Sequence, residues 1–191
     1  MIFLACIVVG IIALTVVYAI NESTARKSIV ELDSLSKRLL DADMESPETA
    51  ELIAEIEQFA EDNSKYAGSQ AYNIVASYHA DKKAWDLAEA AWLKSAAKSP
   101  KDFLAPSAMF NAAVAAEEQG NNTKAIDYYT QAAEYEGVFA GVVRSYWAIG
   151  RLYEAENNSA AALEIYQKMA DDYPDDELTK LAQSRIIVLS N

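Results

Sequence analysis

The C-terminal part of the chain repeats its pattern of large and small residues at a spacing of 37 residues. Each unit carries aromatic and small residues in the same order, although the individual residues change. The aligned columns are Tyr72/Met109/Tyr146, Val75/Ala112/Ile149, Ala76/Ala113/Gly150, Ala88/Ala125/Ala162, Trp92/Tyr129/Tyr166 and Pro100/Gly137/Pro174. Three units at a constant period predict a solenoid, in which each unit covers the apolar face of the next.

The order of residues within a unit predicts a helix hairpin. Two helices cross closely only where one presents a small residue, so Gly150 and Ala162 are predicted to mark the crossing. Tyr146, Tyr153 and Tyr166 are then predicted to fill the spaces between successive layers.

Turn residues separate the predicted helices. Asn158 or Ser159 is the expected N-cap of the last unit's second helix, and Gly120 is expected to end a first helix one unit earlier. Pro100 and Pro174 close second helices. The chain has only 6 glycines and 4 prolines, and helix-favouring residues recur between them, so the predicted fold class is all-α.

The repeating unit resembles the tetratricopeptide repeat. The residues that carry the resemblance are Tyr146, Ile149, Gly150, Tyr153, Ala162, Tyr166 and Pro174. Met169 departs from the family, which usually has alanine there, and the 37-residue period exceeds the roughly 34 residues usual in the family. The resemblance covers Gln70 to Pro174 and implies a right-handed α-solenoid of helix hairpins. The added residues are expected to lengthen the connections or the helices.

The chain is predicted to divide into four segments. These are a transmembrane anchor or uncleaved signal at 1–21, a degenerate first hairpin at 22–66, three repeats at 67–174 and a C-terminal capping helix at 175–191. In the first hairpin, an apolar stripe is predicted at Ile29, Leu32, Leu35 and Leu39.

Residues 2–20 contain no charged side chain. A helix of this length spans about 28 Å, close to the hydrocarbon thickness of about 30 Å, so a retained single-pass membrane anchor is the preferred interpretation. Lipidation at Cys6 and cleavage after Ala19 stay open as alternatives. Taken literally, Arg26 and Lys27 after the segment would place the following domain in the cytoplasm.

The composition argues against several kinds of chemistry. A net charge of -13 disfavours nucleic acid as a partner. The single histidine, His79, occupies the column of Tyr153, where packing is the expected role. The acidic pairs near Pro174 lack the glycine turn and bidentate glutamate of a calcium loop. The chain is therefore predicted not to be an enzyme and to have no catalytic, cofactor or metal site.

The resemblance also implies where a partner would bind. In the tetratricopeptide family, four positions on each first helix line the concave face. Carried over, they are Gln70, Asn73, Ser77, Ala80, Ser107, Phe110, Val114, Glu117, Arg144, Trp147, Arg151 and Glu154. Of these, the predicted peptide-binding groove comprises Asn73, Ser77, Phe110, Val114, Arg144, Trp147 and Arg151.

Two aromatic and two basic side chains indicate the kind of ligand. Phe110 and Trp147 are interpreted as large apolar groups that internal packing does not need, and Arg144 and Arg151 stand out in an acidic chain. This combination suits an extended peptide or a carboxylate group. The asparagine and lysine arrangement of the carboxylate-clamp adaptors is not reproduced. The alternative is that the C-terminal helix folds back and covers Trp147.

A single anchor followed by an acidic repeat domain resembles the bacterial ancillary subunit of the Sec translocon, a family of single-pass membrane proteins. The resemblance implies protein binding at the inner membrane during export, with the domain in the periplasm and translocon subunits or chaperones as partners. The alternatives are a scaffold of another envelope machine, such as outer-membrane assembly, division or the flagellar motor, and a small-molecule-binding module of the same fold.

Overall fold

The computed structural model describes residues 2–101, 103–135 and 137–190, with side chains from residue 18 onward. Within these ranges the chain forms nine α-helices and no strand, which confirms the all-α helical-repeat fold. The helices are α1 (Ile2–Leu40), α2 (Pro47–Asp62), α3 (Lys65–Asp81), α4 (Trp85–Lys98), α5 (Leu104–Glu118), α6 (Asn122–Ala133), α7 (Val142–Ala155), α8 (Ser159–Asp172) and α9 (Glu177–Leu189).

Each helix from α2 onward packs against the next one along the chain. The hairpins α3–α4, α5–α6 and α7–α8 stack in sequence order, and α9 contacts both α7 and α8. The buried residues form one large cluster across α1 to α6 and two smaller ones towards the C-terminus. The core therefore runs along the stack, because each hairpin buries its apolar face only against a neighbour.

The turns inside the hairpins repeat the same backbone conformation. Lys83, Gly120 and Asn157, spaced 37 residues apart, have φ angles of 57°, 73° and 60°. Glycine and asparagine suit this left-handed conformation, whereas lysine adopts it at a steric cost. The side chains of Asn121 and Asn158 each accept a hydrogen bond from the backbone N–H three residues later, so Asn158 is the N-cap of α8.

The last hairpin is closed around Tyr166, which is fully buried. A Cβ atom added to Gly150 would lie 2.4 Å from Cε1 of Tyr166, so the helices approach this closely only because residue 150 is glycine. Tyr166 is predicted to lie between layers, and it does share a buried cluster with Ala182 of α9. The prediction missed that the ring also fills the space that Gly150 leaves within the same hairpin.

We expect Gly150→Ala to lower the free energy of unfolding by about 1–2 kcal/mol, because overpacking outweighs the gain in helix propensity. The preceding unit combines Ala113 with Phe110, where the last unit combines Gly150 with Trp147. Trp147→Phe should therefore make room for the added methyl group. Urea denaturation of both single variants and the double variant measures this coupling, and strictly additive costs would contradict it.

The second half of α1 packs on the first layer through a seam displaced from the predicted stripe. Leu32 and Leu35 are buried and Leu39 is half-buried, as expected, but Ile29 is 47% exposed. Ser28 lies in the seam instead, and its hydroxyl donates to Oδ1 of Asn63. The correction follows from helix geometry, since residues spaced three and four apart share one face.

The predicted membrane anchor at 2–20 falls almost entirely within residues 1–17, whose side chains lie outside the described part of the chain. From residue 18 to residue 27 every described side chain of α1 is exposed, including Tyr18 and Ile20. In the part of the chain that was described, no helix combines the length and the apolar character needed to cross a bilayer.

Candidate functional site

The seven predicted groove residues all lie on the first helices of the three hairpins. Asn73 and Ser77 are on α3, Phe110 and Val114 on α5, and Arg144, Trp147 and Arg151 on α7. We call the outward side of these helices, together with the adjoining side of α1, the A-helix face. The seven residues occupy three different environments on this face.

Asn73 and Ser77 line a hollow between α1 and α3 with a volume of about 650 Å³, which we call the N-terminal hollow. Its apolar lining comes from Leu39, Leu40, Ala42, Met44, Ile74 and Tyr78, and its polar lining from Ser36, Gln70, Asn73, Ser77 and Asp81. Leu40 is 84% exposed, so the hollow is open to solvent at its rim. It can accept an apolar side chain and offers amide and hydroxyl groups beside it.

Phe110 and Arg144 line a second hollow of about 320 Å³, which we call the aromatic hollow. The ring of Phe139 lies 6.0 Å from that of Phe110, and Cζ of Arg144 lies 5.3 Å from the centre of the Phe110 ring. Arg144 is exposed and forms no ion pair with any described carboxylate. Its guanidinium is therefore held in place by the aromatic ring while its donors stay available.

The two hollows use equivalent positions of successive hairpins. Gln70, Asn73 and Ile74 of the N-terminal hollow precede Ser107, Phe110 and Asn111 of the aromatic hollow by 37 residues. Both hollows therefore open on the same side of the stack. Sequence reasoning identified most of these first-helix positions but missed Phe139, because it lies in a connection outside the repeated pattern.

The premise that packing does not need Phe110 and Trp147 is wrong. The Phe110 ring meets Tyr129 edge-on at 5.1 Å, and the Trp147 ring lies 5.5 Å from that of Tyr166. Trp147 is half-buried against a cluster that Ala182 of α9 completes. The C-terminal helix thus packs on the cluster that supports Trp147, and of these two predicted groove aromatics only Phe110 lines a hollow.

Arg151 belongs to a polar contact between units. Its Nη2 donates to both carboxylate oxygens of Glu117, at 2.7 and 2.9 Å, and Tyr129 donates its hydroxyl hydrogen to Glu117 at 3.3 Å. Val114 is half-buried against the adjoining core cluster. Arg151 and Val114 therefore serve the joint between α5–α6 and α7.

The same arrangement recurs one unit later. Tyr166 donates its hydroxyl hydrogen to Glu154 at 2.6 Å, and Nε of Arg185 in α9 donates to both oxygens of Glu154 at 3.1 Å. Hydrogen bonding to Arg185 is the main cause that lowers the pKa of Glu154, whereas burial raises the pKa of Tyr166. We call these two sets the Tyr–Glu–Arg contacts.

The sequence analysis placed Glu117, Arg151 and Glu154 on the concave face, and of these only Arg151 in the predicted groove. It missed the pairing of Glu117 with Arg151 and of Glu154 with Arg185. The sequence does contain an indication of the Glu117–Arg151 pair. The two residues have opposite charges and lie 34 residues apart, at neighbouring positions of successive first helices. At the preceding joint, the residues equivalent to Glu117, Tyr129 and Arg151 are Ala80, Trp92 and Val114, which are apolar.

A further carboxylate is buried where α4 meets α6. Glu89 accepts hydrogen bonds from Gln119 at 2.7 Å, from Nζ of Lys124 at 3.0 Å and from the hydroxyl of Tyr128 at 3.1 Å. Burial opposes ionisation of Glu89, but these three donors outweigh it and hold the carboxyl pKa below its usual value of 4.5. The ionised carboxylate of Glu89 thus joins the hairpin α5–α6 to the hairpin α3–α4.

This environment predicts an acid-dependent loss of stability. Because the pKa of Glu89 is lowered by folding, its contribution is present above the unfolded value of about 4.5 and is lost as the pH falls through the folded value. We expect Glu89→Gln to be less stable at neutral pH and to lose less stability than the native chain below about pH 5. Thermal melts across this range measure both slopes. If the melting temperatures of the two proteins fell in parallel with pH, the assigned role of Glu89 would be contradicted.

The described residues contain no group of three or more His, Cys, Asp or Glu side chains placed to hold a metal ion. His79 is half-buried and its ring contacts that of Tyr78 at 5.5 Å. The chemistry that the A-helix face offers is recognition through apolar contact, amide and hydroxyl groups and one available guanidinium.

Comparison with known proteins supports the repeat interpretation. Residues 101–139 and 110–177 match the family model described as Tetratricopeptide repeat. A "TPR repeat-containing protein" of Treponema pallidum (strain Nichols) is 31% identical over 143 residues, which cover 73% of this chain and 59% of that relative. The chain thus aligns with under two thirds of the relative's length. The matches support tetratricopeptide repeats and, with them, a protein-interaction module.

Proposed function

We propose that the chain is a non-enzymatic, membrane-anchored scaffold that binds a segment of a partner polypeptide on its A-helix face. The observation that carries the proposal is the pair of hollows at equivalent positions of α3 and α5. Repeated hollows along one side of a solenoid suit an extended ligand, because successive ligand side chains meet successive units.

The two hollows differ in the ligand groups they suit. The N-terminal hollow offers Leu39, Met44 and Ile74, so an apolar side chain would fill it. The aromatic hollow offers the guanidinium of Arg144 above Phe110, which suits a carboxylate of an acidic residue or a chain terminus. The open rim at Leu40 argues against a small molecule enclosed in the fold.

Anchoring and export form the more specific part of the proposal. The support is the uncharged stretch 2–20, which is continuous in sequence with the exposed part of α1, together with the acidic repeat domain that follows. We propose a bacterial inner-membrane location with the domain in the periplasm and translocon subunits or chaperones as partners. A scaffold of another envelope machine is the alternative.

Protease accessibility tests the proposed topology. We expect protease to cleave the domain in intact spheroplasts without permeabilisation, and protection of the domain would refute the periplasmic placement.

Variants of the aromatic hollow test the binding surface. We expect Phe110→Ala with Arg144→Ala to reduce capture of translocon subunits or chaperones by detergent-solubilised full chain about tenfold, equivalent to about 1.4 kcal/mol. The matched control is Leu87→Ala with Lys83→Ala, which removes one exposed apolar and one basic residue elsewhere. Equal losses in both double variants, or no loss in the first, would refute the assignment.

A further inference from the structure

We propose that the end of the helix stack nearest residues 2–20 docks on the anionic headgroups of a phospholipid bilayer. The surface, which we call the lysine–aromatic patch, consists of Lys65, Tyr66, Lys98, Lys101 and Phe103. It is formed by the first two residues of α3, the last residue of α4 and the connection between α4 and α5, beside a hollow of about 590 Å³. This inference rests on the proposed membrane anchoring and adds a second membrane contact to it.

The patch brings together lysines that form no ion pair with a described carboxylate, although the charge of Lys98 contributes to lowering the pKa of the nearby Glu61. The chain has 16 Lys and Arg residues, and nine of them pair with described carboxylates, which leaves seven without such a pair. Three of the seven, Lys65, Lys98 and Lys101, line the patch. Nζ of Lys98 donates to the neutral backbone carbonyls of Glu61 and Asn63, at 2.9 and 3.0 Å. In a chain with a net charge of -13, this concentration indicates an anionic partner.

Two exposed aromatic rings make the patch suited to a lipid surface in particular. Tyr66 is 40% exposed, Phe103 is 59% exposed, and their ring centres lie 6.3 Å apart. Aromatic side chains favour the headgroup level of a bilayer, because the ring can contact hydrocarbon there while its edge faces the hydrated headgroups. Lysines beside them attract anionic lipids. This pairing favours a bilayer over a soluble acidic peptide.

The position of α1 brings the patch close to the proposed bilayer. Ser28 of α1 bonds to Asn63 at the end of α2, so α1 passes beside the patch at residue 28. Eight residues of helix separate it from residue 20, a distance of about 12 Å. The headgroup layer covers about 5–7 Å of this distance, and the remainder lies within a Debye length of about 8–10 Å.

The same end of the stack becomes acidic further from α1. Tyr135 donates to the carbonyl of Pro100, which places the α6–α7 connection beside the patch, and that connection begins with exposed Glu134. The following connection contains Asp175 and Asp176. These carboxylates are repelled by anionic lipids, so the first two layers face the bilayer and the last layer tilts away from it.

A fluorescent probe beside the patch tests the proposal in the full chain. Cys6→Ser removes the native thiol, and Ser64→Cys introduces one at an N-cap whose side chain makes no capping hydrogen bond. The labelled chain is reconstituted in phosphatidylcholine vesicles with or without phosphatidylglycerol. Headgroup-labelled quencher lipids should quench the probe only with phosphatidylglycerol present, and high salt should reverse this.

Charge variants identify the lysines responsible. Lys65→Gln with Lys101→Gln should weaken docking about 25-fold, at roughly fivefold per lysine. Lys83→Gln with Lys180→Gln changes the net charge equally, and Lys83 shares the positive φ of Lys65, so this matched control should leave docking unchanged.

Flotation with pure phosphatidylcholine vesicles separates this inference from the anchoring. A chain that floats with both vesicle types while its probe stays unquenched overturns the patch and leaves the anchoring intact. A chain that fails to float with phosphatidylcholine overturns the anchoring, while quenching on phosphatidylglycerol vesicles would still support the patch. If soluble polyglutamate shifts the probe and vesicles do not, or if both double variants weaken docking equally, the lipid assignment is wrong.

Discussion

Tyr166→Ala is expected to lower the free energy of unfolding by about 3–5 kcal/mol, the typical cost of deleting a buried aromatic side chain. Tyr166 is fully buried and packs against Gly150, Trp147 and the cluster that includes Ala182 of α9. Its loss opens a cavity between α7 and α8 and removes the support of α9. Chemical denaturation measures the loss.

The matched variant is Tyr166→Phe, which keeps the ring and removes the hydroxyl that donates to Glu154. It should cost only about 1 kcal/mol. Because units of a solenoid depend mainly on their neighbours, hydrogen exchange in Tyr166→Ala should rise over 142–189 well before it rises over 47–98. Uniform loss of protection along the chain would contradict a stacked, locally stabilised architecture.

Glu154→Ala is expected to destabilise the chain by about 1–3 kcal/mol, because it leaves the buried hydroxyl of Tyr166 without its acceptor. It also releases Arg185 of α9 from its carboxylate partner. The exposed residue Glu156 provides a control of the same type, and Glu156→Ala should change stability by less than about 0.5 kcal/mol.

A double-mutant cycle shows whether the hydroxyl is the cause. In a Tyr166→Phe background there is no buried hydroxyl that could lose its acceptor. Glu154→Ala should therefore lower the free energy of unfolding clearly less than it does in the native chain. Equal costs in both backgrounds would mean that the Tyr–Glu–Arg contact does not operate as a unit. The comparison is made by urea denaturation at neutral pH, where the lowered pKa keeps Glu154 ionised.

The sequence predicted the fold because its period and size pattern are physical requirements of stacking. Gly150 must be small for Tyr166 to fit, and Asn158 caps α8 as the turn chemistry indicated. The repeat period alone did not predict the contacts of every individual side chain. Tyr166 was placed between layers, but it also fills the space beside Gly150 within its own hairpin. Ile29 was placed on the buried stripe, but it is exposed.

The candidate site was only partly predictable for the same reason. Repeat positions identify which residues reach the A-helix face, but they do not show whether a side chain there is already used. Arg151 is occupied by Glu117, a residue of the preceding hairpin, and Trp147 packs on the cluster shared with α9. Phe139 enters from a connection whose register no repeat pattern fixes.

The most direct test of the proposed function is site-specific photo-cross-linking in cells, from a photoreactive residue at position 110 on the A-helix face and, as the control, at position 87 on α4. Both native side chains are at least partly accessible, so both positions can report a neighbouring chain. A partner bound as proposed gives a polypeptide cross-link from position 110, lost with Arg144→Ala, and none from position 87. Cross-links of equal yield from both positions, or from position 87 alone, would contradict the A-helix face as the binding surface.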